Sequence, residues 1–243
     1  FLPHEGTLYP GPNGLIPVRR FAGVPGFDKY QTETGAVSSL FEHSFGDALK
    51  IRQNMRYAHV EGIYRTAYPN VYGDPYAPAN PNPYFPFMDP SRRTVERFLW
   101  SRETSKDSFT SDSNVELKFS TGPVLHKTLV GVDYRGLKER ARSGDGYDIT
   151  PFDLYAPVYT SVTPPVLSPE ADLQQSQLGL YAQDQMRLGP WLAVLGIRQD
   201  YVTSNVQGLP TEESKATTGR AGLMYELPFG LTPYVTYATS FTP

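Results

Sequence analysis

Four histidines, His4, His43, His59 and His126, are the side chains best suited to proton transfer or metal ligation in this sequence. They are scattered. No two stand at the i, i+4 spacing of a helical metal pair, and no cysteine or carboxylate cluster flanks them at ligand spacing. Serines are plentiful, but no nucleophile, base and orienting acid can be assembled from their positions along the chain. The glycines fall in turns and inside strand-like runs, not in a phosphate-cradling loop. The expectation is therefore no enzyme, no catalytic residue, no metal site and no resident cofactor.

Charge pairing and aromatic binding are the chemistries that remain. In QLGLYAQDQMRLGPWLAVLGIRQDYVTSN, residues 177–205, Arg198 and Asp200 stand two apart, opposite an apolar series. That series is Ala193, Leu195, Ile197 and Tyr201; before the turn at Leu188-Gly189-Pro190, Leu178, Leu180 and Ala182 form its counterpart. Gln177, Gly179, Tyr181, Gln183 and Gln185 lie on the other side. Arg52, Arg56, Glu116, Lys118, Asp133, Arg135 and Arg220 likewise alternate with apolar neighbours. Charges on one face and apolar groups on the other suit a half-wet soluble sheet or a membrane barrel with a polar lumen. In a barrel, cross-strand pairing would be the ordinary role of such charges.

The loop YPNVYGDPYAPANPNPYFPFM, residues 68–88, combines prolines with Tyr72, Tyr84, Phe85 and Phe87. Rigid aromatics on proline-stiffened loops suit the wall of a vestibule for an amphipathic ligand, or a loop that packs on its own rings. The loops mix Arg19, Arg20, Arg92 and Arg93 with Glu5, Asp28, Asp74 and Asp89, which favours a near-neutral ligand over a strongly anionic one.

These residues must be held by strands. Period-two alternation recurs at Val37–His43, Leu49–Tyr57, Val115–Phe119, Thr128–Tyr134, through residues 177–205, and from Ala221 to Phe241. Gly-containing turns at Phe45-Gly46-Asp47, Thr121-Gly122-Pro123, Leu188-Gly189-Pro190 and Leu227-Pro228-Phe229-Gly230 close four hairpins. Longer links over 1–32, about 63–98, about 137–174 and about 205–216 separate them. Short turns at one end and long loops at the other predict an outer-membrane barrel rather than a soluble sandwich. The fold expected is all-β: an antiparallel up-and-down meander of about eight strands, forming one partial transmembrane barrel over residues 1–243. Trp191 and Tyr201, ten residues apart on one face, span roughly 26 Å at about 3.4 Å per residue and a tilt near 40°. That matches an apolar band about 25 Å tall with an aromatic girdle at each rim.

The 243 residues carry a formal net charge of -3, with 39% hydrophobic and 13% aromatic content. Near-neutral charge argues against nucleic acid as a partner. No run approaches the roughly 18 apolar residues of a membrane helix, which leaves barrel strands open. The ends, FLPHEG and TYATSFTP in outline, read as cut, so the chain is expected to be a fragment.

LGLYAQDQMRLGPWLAVLGIRQDY and TGRAGLMYELPFGLTPYVTYATSF strongly resemble barrel strands of TonB-dependent siderophore receptors. FLPHEGTLYPGPNG, FEHSFGDALKIRQNMRYAHV, NVELKFSTGPVLHKTLVGVDY and FDLYAPVY extend the resemblance along nearly the whole chain, within that family toward the ferrichrome, or ferric hydroxamate, type. The resemblance implies a segment of a 22-stranded barrel in the outer membrane of a Gram-negative bacterium, its plug domain absent from this sequence. It also implies a ferric siderophore as ligand, of hydroxamate type, with iron arriving as cargo. Energy would come from the TonB–ExbB–ExbD system through the missing plug, and the lipid bilayer would surround the strands. Phe1 matches a position where ferrichrome-type receptors place a ligand-contacting aromatic, and Tyr155 is a second nominee from the resemblance. A passive porin and a soluble secreted β-domain are the alternatives.

Overall fold

The computed structural model describes residues 2–71 and 84–242. Alternating apolar and polar residues, punctuated by glycine turns, give strands throughout; among the described residues there is no helix. The strands are β1 (Lys29–Phe45), β2 (Leu49–Pro69), β3 (Thr94–Thr121), β4 (Val124–Asp153), β5 (Ser168–Pro169), β6 (Leu173–Leu188), β7 (Trp191–Val206), β8 (Glu212–Tyr225) and β9 (Tyr234–Ala238). One antiparallel sheet runs β1-β2-β3-β4-β6-β7-β8-β9, and the two-residue β5 pairs with β4 off this path. The expected meander of about eight sequential strands is what forms.

Two boundaries differ from the sequence reading. β3 and β4 run for 28 and 30 residues; β3 starts a few residues inside the link read as about 63–98, and β4 reaches Asp153, well into the one read as about 137–174. Their loop-side halves carry charges and aromatics on both faces, so no apolar alternation marks them. The β7–β8 connection is also short, since β7 ends at Val206 and β8 begins at Glu212. The end-to-end asymmetry therefore rests on the connections after β2 and β4.

Each hairpin turn carries a glycine in the left-handed region: Gly122 at φ 59° and Gly189 at φ 55° are examples. A Cβ there would be strained, so these glycines fix hairpin register. That register sets the faces. Trp191 lies opposite Leu188 and Tyr225, and five side-chain steps along, Tyr201 lies opposite Leu178, itself opposite Tyr134. The rings of Trp191 and Tyr225 stand 4.6 Å apart. Between these rows Ile197 faces Ala182, and Ala182 faces Val130. Leu180, Leu195, Ile197, Val130 and Leu117 are all exposed, which is how a lipid-facing surface looks without its lipid.

The chain forms two compact units. One comprises Phe1–Glu33, Glu61–Ser105 and Ala141–Glu170; the other comprises Thr34–Val60, Lys106–Arg140 and Ala171–Pro243.

Candidate functional site

In the first unit, the chain between Leu2 and Asp28 folds onto the loop-side residues of β3 and the segment after β4. Ile16, Phe87, Val95, Phe152 and Leu154 form a buried cluster, with Leu2, Ala22, Tyr84 and Tyr155 packed against it. A second cluster joins Val24, Phe27, Ala67 and Leu99, with Val162 alongside. Asp28 fastens the entering chain by accepting from the N–H groups of Val24 and Ala67.

Ion pairs frame these clusters. Arg97 is 1% exposed, pairs with Asp148 at 2.5 Å, and lies 4.6 Å above the Phe152 ring. Arg93 grips Asp153 with Nε at 3.0 Å and Nη2 at 3.2 Å, and stacks 5.2 Å from the Tyr155 ring. Arg92 pairs with Glu5, Arg65 with Glu103 and Arg102 with Glu170. Burial works against ionisation of Asp153, but the N–H groups of Ala156 and Tyr155 and the Arg93 guanidinium outweigh it and hold the carboxyl below its usual range. Burial is likewise overcome at Asp148 by Arg97 and Thr150. Burial raises Tyr155, and the nearby Glu5 carboxylate adds to it.

The nominated aromatics are not equivalent here. Phe1 and Tyr72 lie outside the described residues. Phe87, at 2% exposure, is sealed in the core and supports the unit from within. Tyr84 packs against that core, and Phe85 is half-buried beside it. Tyr155 remains part-exposed, donating its O–H to the Gly14 carbonyl at 3.2 Å while Arg20 donates to its own carbonyl at 2.6 Å. Sequence reasoning passed over Phe21 and Tyr159, both exposed, with rings 6.2 Å apart and the Tyr159 O–H donating to the Phe21 carbonyl. Tyr159 sits in the same FDLYAPVY run as Tyr155, and that run was the available signal.

In the second unit, the face opposite the apolar one is polar and cross-linked. Glu116, 6% exposed, collects Arg52 at 3.1 Å and Lys127 at 3.5 Å, and Arg52 also binds Glu42 at 2.8 Å. Arg198 binds Asp133 two strands away and Asp200 on its own strand, and Gln177 completes Asp200 at 2.8 Å. A cavity of about 440 Å³ on this unit is lined by Asp112, Tyr181, Arg198, Thr218 and Arg220, among others. Gly131 and Gly179 are cleared for side chains that lie flat on the wall. A Cβ at Gly131 would meet the Tyr181 ring at 2.4 Å, and one at Gly179 would meet Arg198 at 2.1 Å. These glycines accommodate neighbouring side chains.

An apolar face between aromatic rows, backed by a salt-bridged polar face, defines a transmembrane β-barrel wall. The comparisons agree. Residues 3–243 match the family described as TonB dependent receptor-like, beta-barrel, and the chain belongs to that family of outer-membrane barrels. It is 30% identical over 262 residues to the ferrichrome outer membrane transporter/phage receptor of Escherichia coli K12, covering all of this chain and 34% of that protein. It is 28% identical over 250 residues to the ferrioxamine B receptor of Salmonella typhimurium SL1344, covering all of this chain and 33% of the receptor. The chain thus spans about a third of the length of these relatives. Among solved structures, the open form of the ferric-catecholate import receptor Fiu from E. coli K12 matches with a TM-score of 0.80 at 19% identity, covering 100% of this chain and 42% of that one.

Proposed function

We propose that this chain supplies wall strands and part of the ligand vestibule of an outer-membrane receptor that imports a ferric siderophore. The observation that carries the reading is the lipid-type apolar face of the second unit, backed by a charged, cross-linked wall. Relatives named for ferrichrome and ferrioxamine B support a hydroxamate ligand. So does the charge pattern of the first unit. Arg65, Arg92, Arg93, Arg97 and Arg102 are each matched to a carboxylate, which leaves these guanidinium groups neutralised before a strongly anionic complex arrives. A near-neutral ferric hydroxamate needs apolar and aromatic contact, and Tyr155, Tyr159, Phe21 and Phe85 are the proposed contacts. Phe1 and Tyr72 stay as nominees from the sequence, with Tyr84 and Phe87 supporting the wall.

Import in this reading draws on the TonB–ExbB–ExbD system through a plug domain that occupies the barrel. No covalent bond of the ligand need break, so transport assigns no catalytic residue and no resident cofactor; iron is cargo. The test is uptake of radioiron by a receptor-deficient strain carrying the complete receptor. Ferrichrome or ferrioxamine B should be taken up, and a ferric tricatecholate should not. Uptake that survives collapse of the proton gradient would instead show a passive pore.

A further inference from the structure

The apolar face of the second unit carries an ionisable pair on β4 and β6. Asp184 lies opposite Thr128 and Leu195, and His126 opposite Met186, so both point to the same side as Val130, Leu180 and Ile197. An ionisable pair on the lipid side of a membrane strand is costly and marks a site to be explained. The groups form a chain. The Asp184 Oδ2 carboxylate lies 2.7 Å from His126 Nδ1, and His126 Nε2 lies 2.7 Å from the Thr121 hydroxyl. Thr128 donates to Asp184 Oδ1 at 2.9 Å, which fixes the carboxylate. Phe119 stacks on the imidazole with centroids 4.7 Å apart and planes 5° apart, which fixes the ring. Hydroxyl, imidazole and carboxylate are in the order that activates a nucleophile for acyl transfer.

The surroundings match that chemistry. Thr121 is the exposed last residue of β3, at the turn end where the Trp191–Tyr225 row marks the rim of the apolar band. His126 is 13% exposed, and Asp184 lies two side-chain steps inward from Leu188, about 10 Å into the band at ordinary rise and tilt. The hydroxyl therefore meets lipid at the level of its ester linkages, while base and orienting acid sit where low dielectric strengthens their contact. The next residue, Gly122, has φ 59° and nothing within 4 Å of where a Cβ would stand, so a substrate can approach its backbone beside the hydroxyl.

We propose that Thr121, His126 and Asp184 form an acyl-transfer site that hydrolyses ester-linked phospholipid in the leaflet at the turn end of the strands. His126 Nε2 takes the Thr121 proton as Oγ1 bonds to the ester carbonyl carbon. The tetrahedral adduct collapses, the ester C–O bond breaks, and His126 returns the proton to the departing lysophospholipid hydroxyl. Water, deprotonated by His126, then cleaves the acyl–Thr121 ester to release a fatty acid and restore the threonine. Asp184 positions the imidazole and stabilises its charged form.

The complete receptor is purified, reconstituted in phosphatidylethanolamine–phosphatidylglycerol vesicles doped with a phospholipid bearing a fluorogenic acyl ester, and assayed for fatty acid and lysophospholipid in equal amounts. Thr121→Ala and His126→Ala should each lower release by about 100-fold or more. Thr121→Ser should retain it, as should Ser113→Ala, which removes a different hydroxyl. Heat-modifiable migration of each variant checks that the barrel is folded. A lipophilic fluorophosphonate should add to Thr121 in the parent, and His126→Ala should abolish that adduct. Release no faster than protein-free vesicles, release undiminished in folded Thr121→Ala, or an adduct confined to other residues would overturn the assignment.

Discussion

Arg198 on β7 reaches past β6 to Asp133 on β4, with Nη2 at 3.1 Å from Oδ1, and its path crosses the Cα of Gly179. Two residues 65 apart in sequence are thereby tied across an intervening strand. The absence of a side chain at Gly179 is what lets the guanidinium lie flat.

Gly179→Ala should therefore break this contact. Its Cβ would stand 2.1 Å from Arg198 Nη2, and the guanidinium would have to give up part of its grip on Asp133. The expected cost is about 1.5–3 kcal/mol, the range for a hydrogen bond to a charged group. Gly35→Ala, where nothing lies within 4 Å of a new Cβ, should change little or stabilise by about 0.5 kcal/mol. Urea unfolding of the complete receptor in lipid vesicles compares the two.

A charge placed mid-band on the apolar face should be poorly tolerated. Ile197→Lys, flanked by Ala182 and Gly219, should cost about 2–4 kcal/mol in folding into a bilayer. Gln183→Lys, one residue from Ala182 and on the polar face, should stay within about 1 kcal/mol of the parent. Equal costs at both positions would show that the faces are misassigned.

Phe87 and Tyr155 should separate support from contact. Phe87→Ala opens a void in a core where the ring is 2% exposed, and should destabilise the first unit by about 3–5 kcal/mol. Tyr155→Phe removes only the O–H bond to Gly14, so it should leave stability within about 1 kcal/mol. Tyr155→Ala should weaken siderophore binding more than Tyr155→Phe does. Limited proteolysis and equilibrium binding read the two effects separately.

The first unit should loosen in acid. Asp148 and Asp153 both have folded-state pKa values held below the ordinary carboxylate value, so the unfolded chain binds protons more readily than the folded one. Their contribution is complete above the unfolded pKa, about 3.9, and is lost as pH falls from there through the depressed folded values. Trp100 fluorescence, read in a Trp191→Phe background, should report that transition. Asp153→Asn should shrink the part of it due to Arg93 and the two N–H groups.

The membrane half of the fold was legible because lipid and lumen impose period two on every strand. Ala193, Leu195 and Ile197 against Arg198 and Asp200 could be read directly, as could the glycine turns. The loop-side halves of β3 and β4 were not legible. There Arg97 and Leu99 are both buried by chain that packs on them from elsewhere, so polarity no longer tracks exposure. The same holds for Phe87, whose loop composition suggested contact with ligand although tertiary packing placed it in a core. Thr121, His126 and Asp184 were invisible for a different reason: Asp184 joins the other two only through the β4–β6 register, which turn residues alone do not specify.

Site-directed spin labelling along β7, one label at a time from residue 191 to 201 in the complete receptor in lipid vesicles, tests the two-faced wall most directly. Labels at 193, 195 and 197 should be reached by oxygen dissolved in the bilayer and shielded from a water-soluble nickel chelate. Labels at 192, 194 and 196 should show the reverse or be shielded from both by whatever fills the lumen. An accessibility profile without period two, or oxygen access at the even positions, would contradict the account.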